Sequence, residues 1–252
     1  MPVEVTLSPE VRGPLTVYPI ADARTYGVDA FVTDRFNGAS SGPYDSLNLG
    51  GHVGDDPENV GENRRLVARA INADHLVIVR QVHGSDVLEA SNVTADSEGD
   101  AILSGDSDLA LAVLVADCVP ILLVESSSSQ FCLVHAGWRG LRAGVIARAL
   151  DQFFEPSRVH AFLGPSISSE RYQVGPEVAE HFGDVPGVLL PDVDDRSRLD
   201  LRGVAAARLS ALGVDDEHIS ISTQVTDGGD VFFSDRAQRP CGRFGLVAKR
   251  VS

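Results

Sequence analysis

Apolar residues recur along this chain mostly in short runs bounded by Gly, Pro, Asn or Asp, the pattern of strands and turns. Up to about Gly27 the runs VEVTL and LTVYPI, separated by Pro and Gly, predict two short strands. From Pro57 to Asn72 the period changes. Val60, Leu66, Val67, Ala70 and Ile71 form a helical stripe, Asp55 or Asp56 can cap it, and Pro57 suits its first turn. HLVIVRQVH, DVLEA and DAILS are further strand candidates. The run LALAVLVADCVPILLVE is nearly all apolar, but Pro120 inside it argues against one helix, and two buried strands joined at Ala116–Pro120 fit better. QFCLVH is the next strand. It ends in Gly137-Trp138-Arg139-Gly140, after which Leu141, Val145, Ile146, Ala149, Leu150 and Phe153 predict one helix from about Leu141 to Phe154.

The second half mixes types. RVHAFLG and HISIST read as strands, GPEVAEHFG and LDLRGVAAARLSAL as helices, and FFSD and RFGLVAKRVS as closing strands. Residues 33–56 are rich in Gly, Ser, Asn and Asp, too polar for core and too mixed for a flexible linker, so a long ordered loop is expected. No repeat and no dividing linker is apparent. The expectation is one α/β domain over residues 1–252, with mixed β-sheet packed by helices.

Composition narrows the function. A net charge of −15, from 36 acidic against 21 basic residues, repels nucleic-acid phosphates, and no basic stripe offsets it. No apolar run is long enough for a membrane span, and the first residues lack the pattern of a signal peptide, so a cytoplasmic protein is expected. The three cysteines, Cys118, Cys132 and Cys241, form no disulfide framework and are expected to be reduced. Few aromatics fall on obvious surface segments, which points to a monomer.

Three reactive segments sit at the ends of apolar strands: Gln81-Val82-His83-Gly84, Asp117-Cys118, and His135 with the Gly-Trp-Arg-Gly that follows. Two imidazoles and a thiolate are a good three-ligand set for Zn²⁺ with a fourth position open. The spacing alone leaves other readings: Cys118 as a small buried hydrophobe, His135 as a hydrogen-bonded structural residue, HAGWRG as a plain strand-to-helix turn. Cys132 lies three residues before His135 on one strand, so the two should face opposite sides, with Cys132 in the core.

The motifs SLNLGGHVGDDPENVGENRR (46–65), RQVHG (80–84), DAILS (100–104), ADCVPILL (116–123), HAGWRG (135–140), LGPSI (163–167), YQVG (172–175) and FFSDR (232–236) occur in one order. In that order they resemble the YfiH family, also called the laccase-domain or multicopper polyphenol oxidase family. The resemblance runs from about Thr33 to the end. It implies a sandwich-like single α/β domain, zinc on His83, Cys118 and His135, and phosphorolysis of adenosine, inosine, guanosine and methylthioadenosine with adenosine deamination beside it. Some members are linked to peptidoglycan-precursor editing. The chain departs from the family pattern at Arg171, Val225, Asp235 and Ala237, so no role is carried over to its C-terminal segment.

A three-ligand zinc makes hydroxide available near neutral pH, which suits deamination, with Asp117 as candidate proton carrier or merely the residue that orients the loop. Phosphorolysis needs an anion held beside the anomeric carbon. Arg139 with its Gly-rich turn is the first candidate and Arg64 the second, although Arg64 also reads as a solvated helix residue. Asn48 and Gln81 could bond ribose or base edges. Copper is less suited, since seven His and one Met are too few for a multicopper oxidase, and His52, His160, His181 and His218 have no evident partner. The alternative is a metal-free cysteine hydrolase or deamidase, or a peptidoglycan-precursor editing enzyme, with Cys118 as nucleophile and His135 or His83 as base.

Overall fold

The computed structural model describes residues 1–251. In chain order its first half holds β1 (Val3–Val5), β2 (Glu10–Arg12), β3 (Leu15–Pro19), β4 (Val28–Thr33), α1 (Pro57–Ala70), β5 (Leu76–Val77), β6 (Val87–Glu89), β7 (Ala101–Ser104), β8 (Ala110–Val115), β9 (Val119–Glu125) and β10 (Phe131–Ala136). Then follow α2 (Trp138–Ala143), α3 (Val145–Leu150), β11 (Val159–Leu163), β12 (Gln173–Val174), α4 (Pro176–Ala179), β13 (Leu189–Pro191), β14 (Ser197–Leu199), α5 (Leu201–Ala211), β15 (Ile219–Ser222) and β16 (Phe244–Arg250). They build a seven-stranded sheet in the order β1-β15-β11-β9-β10-β7-β6, a six-stranded sheet β2-β3-β4-β16-β8-β5, and a small sheet β12-β14-β13. Both large sheets are mixed: β9 and β10 pair antiparallel, whereas β5 runs parallel to β8 and β6 parallel to β7.

The side-chain period of two explains the layering. In β9, Leu122 and Val124 face the six-stranded sheet, where they meet Val113 and Val115 of β8 and Leu246 of β16. Ile121 and Leu123 point the other way, onto α2, α3 and α5. The outer face of the six-stranded sheet is covered by Val67 and Ile71 of the α1 segment. The order of layers is helix, sheet, sheet, helix, and the central strands of both sheets are buried on both faces. This is why their strands read as continuous apolar runs; each fully buried Leu, Val or Phe is worth about 1.5–3 kcal/mol. No helix among the described residues is long and apolar enough to cross a membrane.

The expected split at Ala116–Pro120 is present, and it does more than turn the chain. β8 and β9 lie in different sheets, so residues 116–118 cross from one layer to the other. Pro120 tolerates the centre of a sheet because it is the second residue of β9, and Gly164 leaves room for its ring: a side chain there would come within 2.8 Å of Pro120 Cγ. The first helix begins as expected, with Asp56 accepting from the Glu58 amide at 2.8 Å.

Three expectations are corrected. The helix expected over 141–154 is two short helices, because Gly144 at φ +84° breaks it; the apolar stripe runs through the break and conceals it. FFSD is no strand. Phe232 and Phe233 are buried as plugs in the inter-sheet core without pairing. The polar segment 33–56 is not all surface, since Leu47, Asn48 and Leu49 are fully buried under α1.

Candidate metal centre

Two loops and the end of β10 bring His83, Cys118 and His135 together. Their ligand atoms all lie within 4.8 Å of one another. His135 is buried near the end of β10, on the opposite side of the strand from Cys132, which packs among the helices as expected. Cys118 sits in the crossing between the sheets and keeps some exposure, while His83 is exposed. The two imidazole rings meet edge-on, 4.8 Å apart with their planes at 82°. Their nitrogens can therefore converge on one point instead of stacking.

The backbone is bent to make this possible. His83 has φ +60° and Asp117 φ +84°, the left-handed region that side chains rarely adopt. Asp100 holds the first of these. Its carboxylate accepts from the amides of His83 (2.9 Å) and Gly84 (2.6 Å), and it bonds His135 Nδ1 at 2.8 Å. Asp100 is fully buried, and one group thus fixes the His83 loop and leaves His135 Nε2 for a ligand, the usual carboxylate–histidine support of a metal site. Asp117 holds the second bend. Its oxygens accept from Thr226 Oγ1 at 2.6 Å and the Arg236 amide at 2.7 Å, so it clamps the C-terminal loop. Gly137 provides the space: a Cβ there would lie 2.8 Å from Cys118 Sγ and 3.1 Å from His83 Cδ2.

Burial alone would push the Cys118 thiol up, but the charge of His135 and hydrogen bonds from His135 and His83 bring it down to about 6. Burial would push His135 down, yet Cys118 and Asp100 raise it to about 9. The site favours a thiolate. Cys132, buried among apolar groups, moves the opposite way, well above the usual thiol range. Burial and the negative charge of Cys118 likewise keep the neighbouring Tyr172 phenol protonated.

His52, Arg64 and Arg243 lie near the cluster. His52 is pushed down by partial burial and then by Arg243, Arg64, His83 and His135 in turn. Arg64 is partly buried, donates its Nε to the Leu49 carbonyl at 2.9 Å, and has no carboxylate partner among the described residues. Arg243 spends one nitrogen on Asp235 at 3.3 Å. Arg139 is exposed and stacked over Trp138 at 4.4 Å.

Asn48 and Gln81 are otherwise engaged. Asn48 bonds Gly50, Asp55 and the Arg243 amide, and Gln81 pairs both ends of its amide with Leu114 at 2.7 and 2.8 Å. Both brace the loops. Asp117 braces its loop through Thr226 and the Arg236 amide while lying next to Cys118. His160 and His218, expected to lack partners, stack on each other, and His181 stacks on Trp138. Sequence reasoning missed Asp100, His52 and Arg243. Only Asp100 had a signal, a carboxylate directly before an apolar strand.

The family model described as "Multi-copper polyphenol oxidoreductase laccase" matches residues 29–250. A protein of Streptomyces griseus named "Purine nucleoside phosphorylase ORF3" is 41% identical over 222 residues, covering 84% of this chain and 89% of its own. "Purine nucleoside phosphorylase YfiH" of Escherichia coli K12 is 37% identical over 223 residues, covering 86% and 91%. The crystal structure of YlmD from Geobacillus stearothermophilus superposes with a TM-score of 0.89 at 30% identity, covering 98% of this chain and 99% of that one.

Proposed function

This chain belongs to the multi-copper polyphenol oxidoreductase laccase family, and from that premise we propose that it is a zinc-dependent purine nucleoside phosphorylase acting on adenosine, inosine, guanosine and methylthioadenosine. The observation that carries the reading is the convergence of two imidazoles and a lowered thiol within 4.8 Å, with Asp100 behind one ring and Gly137 leaving room in front. This donor set fits zinc: nitrogen and sulfur, three protein ligands, one position open. It fits a four-copper oxidase poorly, since this is the one group of three or more such ligands among the described residues. The names of the relatives support phosphorolysis over oxidation.

His83, Cys118 and His135 would hold the ion, which when bound supplies Lewis acidity at the fourth position. The remaining work belongs to the chain. Arg64, flanked by His52 and Arg243, offers positive charge without a resident carboxylate, which suits inorganic phosphate. Arg139 on the Trp138 face is the second anion contact. Phosphate oxygen then bonds to the anomeric carbon, the glycosidic C–N bond breaks, and the purine leaves with the electron pair and takes a proton. Positioning and charge carry most of such a step. Adenosine deamination is the second reaction we infer, supported by the open three-ligand arrangement. Asp117, next to Cys118 in the chain, is the proton carrier in that reading. The reading includes a cytoplasmic monomer acting as one catalytic domain over 1–252, with neither nucleic acid nor membrane as partner.

One observation favours a second reading. Cys118, His135 and Asp100 form a relay of nucleophile, base and orienting acid, as a metal-free cysteine hydrolase or peptidoglycan-precursor editing enzyme would need. Incubating the purified protein with adenosine, with and without phosphate, separates the two. Phosphate-dependent release of adenine that chelation abolishes supports the phosphorylase, and inosine supports deamination. Release of neither product, or full activity after metal removal, contradicts the zinc reading.

A further inference from the structure

A cavity of about 720 Å³ shares no lining residue with the His83–Cys118–His135 cluster. It opens where the chain from β1 to β4 passes over the inter-sheet core, and the apolar side chains of Leu7, Ile20, Leu122, Val124 and Phe162 line it. Its size falls within the range of small-molecule sites. One wall is a ladder of three rings. Tyr26 lies over His160 at 4.2 Å and 26°, and His160 over His218 at 3.9 Å and 35°. Hydrogen bonds fix the ladder: Tyr26 OH meets His160 Nδ1 at 3.0 Å, and His218 Nδ1 donates to the Ser157 carbonyl at 3.1 Å. Both imidazoles keep a second nitrogen outside these bonds.

Charge selects the occupant. No Lys or Arg lines the cavity, whereas Glu10, Asp22 and Glu217 do. Glu10 is paired with Arg12 at 2.7 Å, but Asp22 and Glu217 have no cationic partner among the described residues. The net charge of −15 strengthens this field and disfavours any phosphate-bearing ligand here. The rings and the apolar floor give a flat heterocycle an aromatic and apolar lining, and the two free carboxylates call for a cation.

We propose that this cavity is a second small-molecule site, separate from the metal centre, for a flat nitrogen heterocycle that carries a positive charge. The probes are 1-methylnicotinamide, a flat cation, and nicotinate, the same ring as an anion. The full-length protein is titrated with each while the histidine ring resonances are followed by NMR. With 1-methylnicotinamide at up to millimolar concentration, the His160 and His218 resonances shift saturably and those of His83 and His135 do not. Nicotinate shifts neither pair. The exposed double substitution Asp22→Asn with Glu217→Gln weakens cation binding by roughly tenfold or more, as expected when two carboxylates are neutralised near a charged ligand. Absence of a saturable shift, equal binding of nicotinate, or unchanged binding in the double variant would overturn the assignment. Because the readout is independent of catalysis, its failure leaves the phosphorylase reading untouched.

Discussion

Among the described residues two places bring a pair of imidazoles into contact, and only one is fit for a metal. At the metal centre the rings of His83 and His135 meet edge-on at 82°, with a thiol beside them and Asp100 bonded to one ring. In the ladder, His160 and His218 lie nearly face to face at 35°, with a phenol and a carbonyl as partners. Stacked rings point their nitrogens along parallel planes and past each other. Edge-on rings can aim them at one point. Counting histidines therefore says little about metal chemistry; ring orientation, a sulfur donor and a carboxylate that sets the tautomer decide it.

Removing the sulfur should give the largest contrast. Cys118→Ser is expected to lose bound zinc and at least ~10³-fold of kcat/KM, while the ladder resonances stay in place, because ligand loss removes the centre outright. Retained metal and activity in that variant would erase the difference between the two places. Next in size is Asp100→Asn. It should weaken zinc binding about 10–100-fold and lower the melting temperature, since a buried group serving His135 and three loop amides is replaced. Metal competition titration and thermal melting check both effects, and an unchanged affinity would return Asp100 to a purely structural role. Gly137→Ala follows, because its methyl would lie 2.8 Å from the sulfur. A loss of about tenfold in zinc affinity is expected, and a neutral result would mean that the cluster relaxes freely. Arg64→Ala should raise the KM for phosphate about tenfold with kcat less affected, partly rescued by Lys, as lost uniform binding of an anion does. Steady-state kinetics in phosphate checks this.

The smallest effect belongs to the ladder. Burial, and then the neighbouring charge of His218, hold His160 below its ordinary value, with Asp22 opposing. A base lowered in the folded state binds fewer protons than the unfolded chain does. Stability is therefore full above about pH 6.5 and falls as the pH drops through the folded value. His160→Phe should flatten that slope in thermal melts between about pH 7 and pH 5, and a slope unchanged by the substitution would assign it elsewhere.

Much of the frame was legible because period and punctuation are local. The apolar run around Pro120 announced two strands, Asp56 and Pro57 announced a helix start, and the three-residue gap put Cys132 and His135 on opposite faces of β10. The broken helix was hidden because Leu141, Val145 and Ile146 keep one stripe across Gly144. FFSD misled because two consecutive Phe can plug a core as readily as they pair in a strand. At the site, the convergence of His83, Cys118 and His135 was legible from the family motifs. Their supports were not: His52 and Arg243 lie about 190 residues apart in sequence, and only the fold brings them together. That Asn48 and Gln81 brace loops was not legible, because a free amide and a loop-bracing amide are the same letter.

X-ray absorption at the zinc edge of the purified protein tests the central claim most directly. The account predicts a shell with one sulfur at about 2.3 Å and two nitrogens at about 2.0–2.1 Å, with the sulfur signal gone in Cys118→Ser. A zinc shell without sulfur, or fully active protein that takes up no metal, would contradict it.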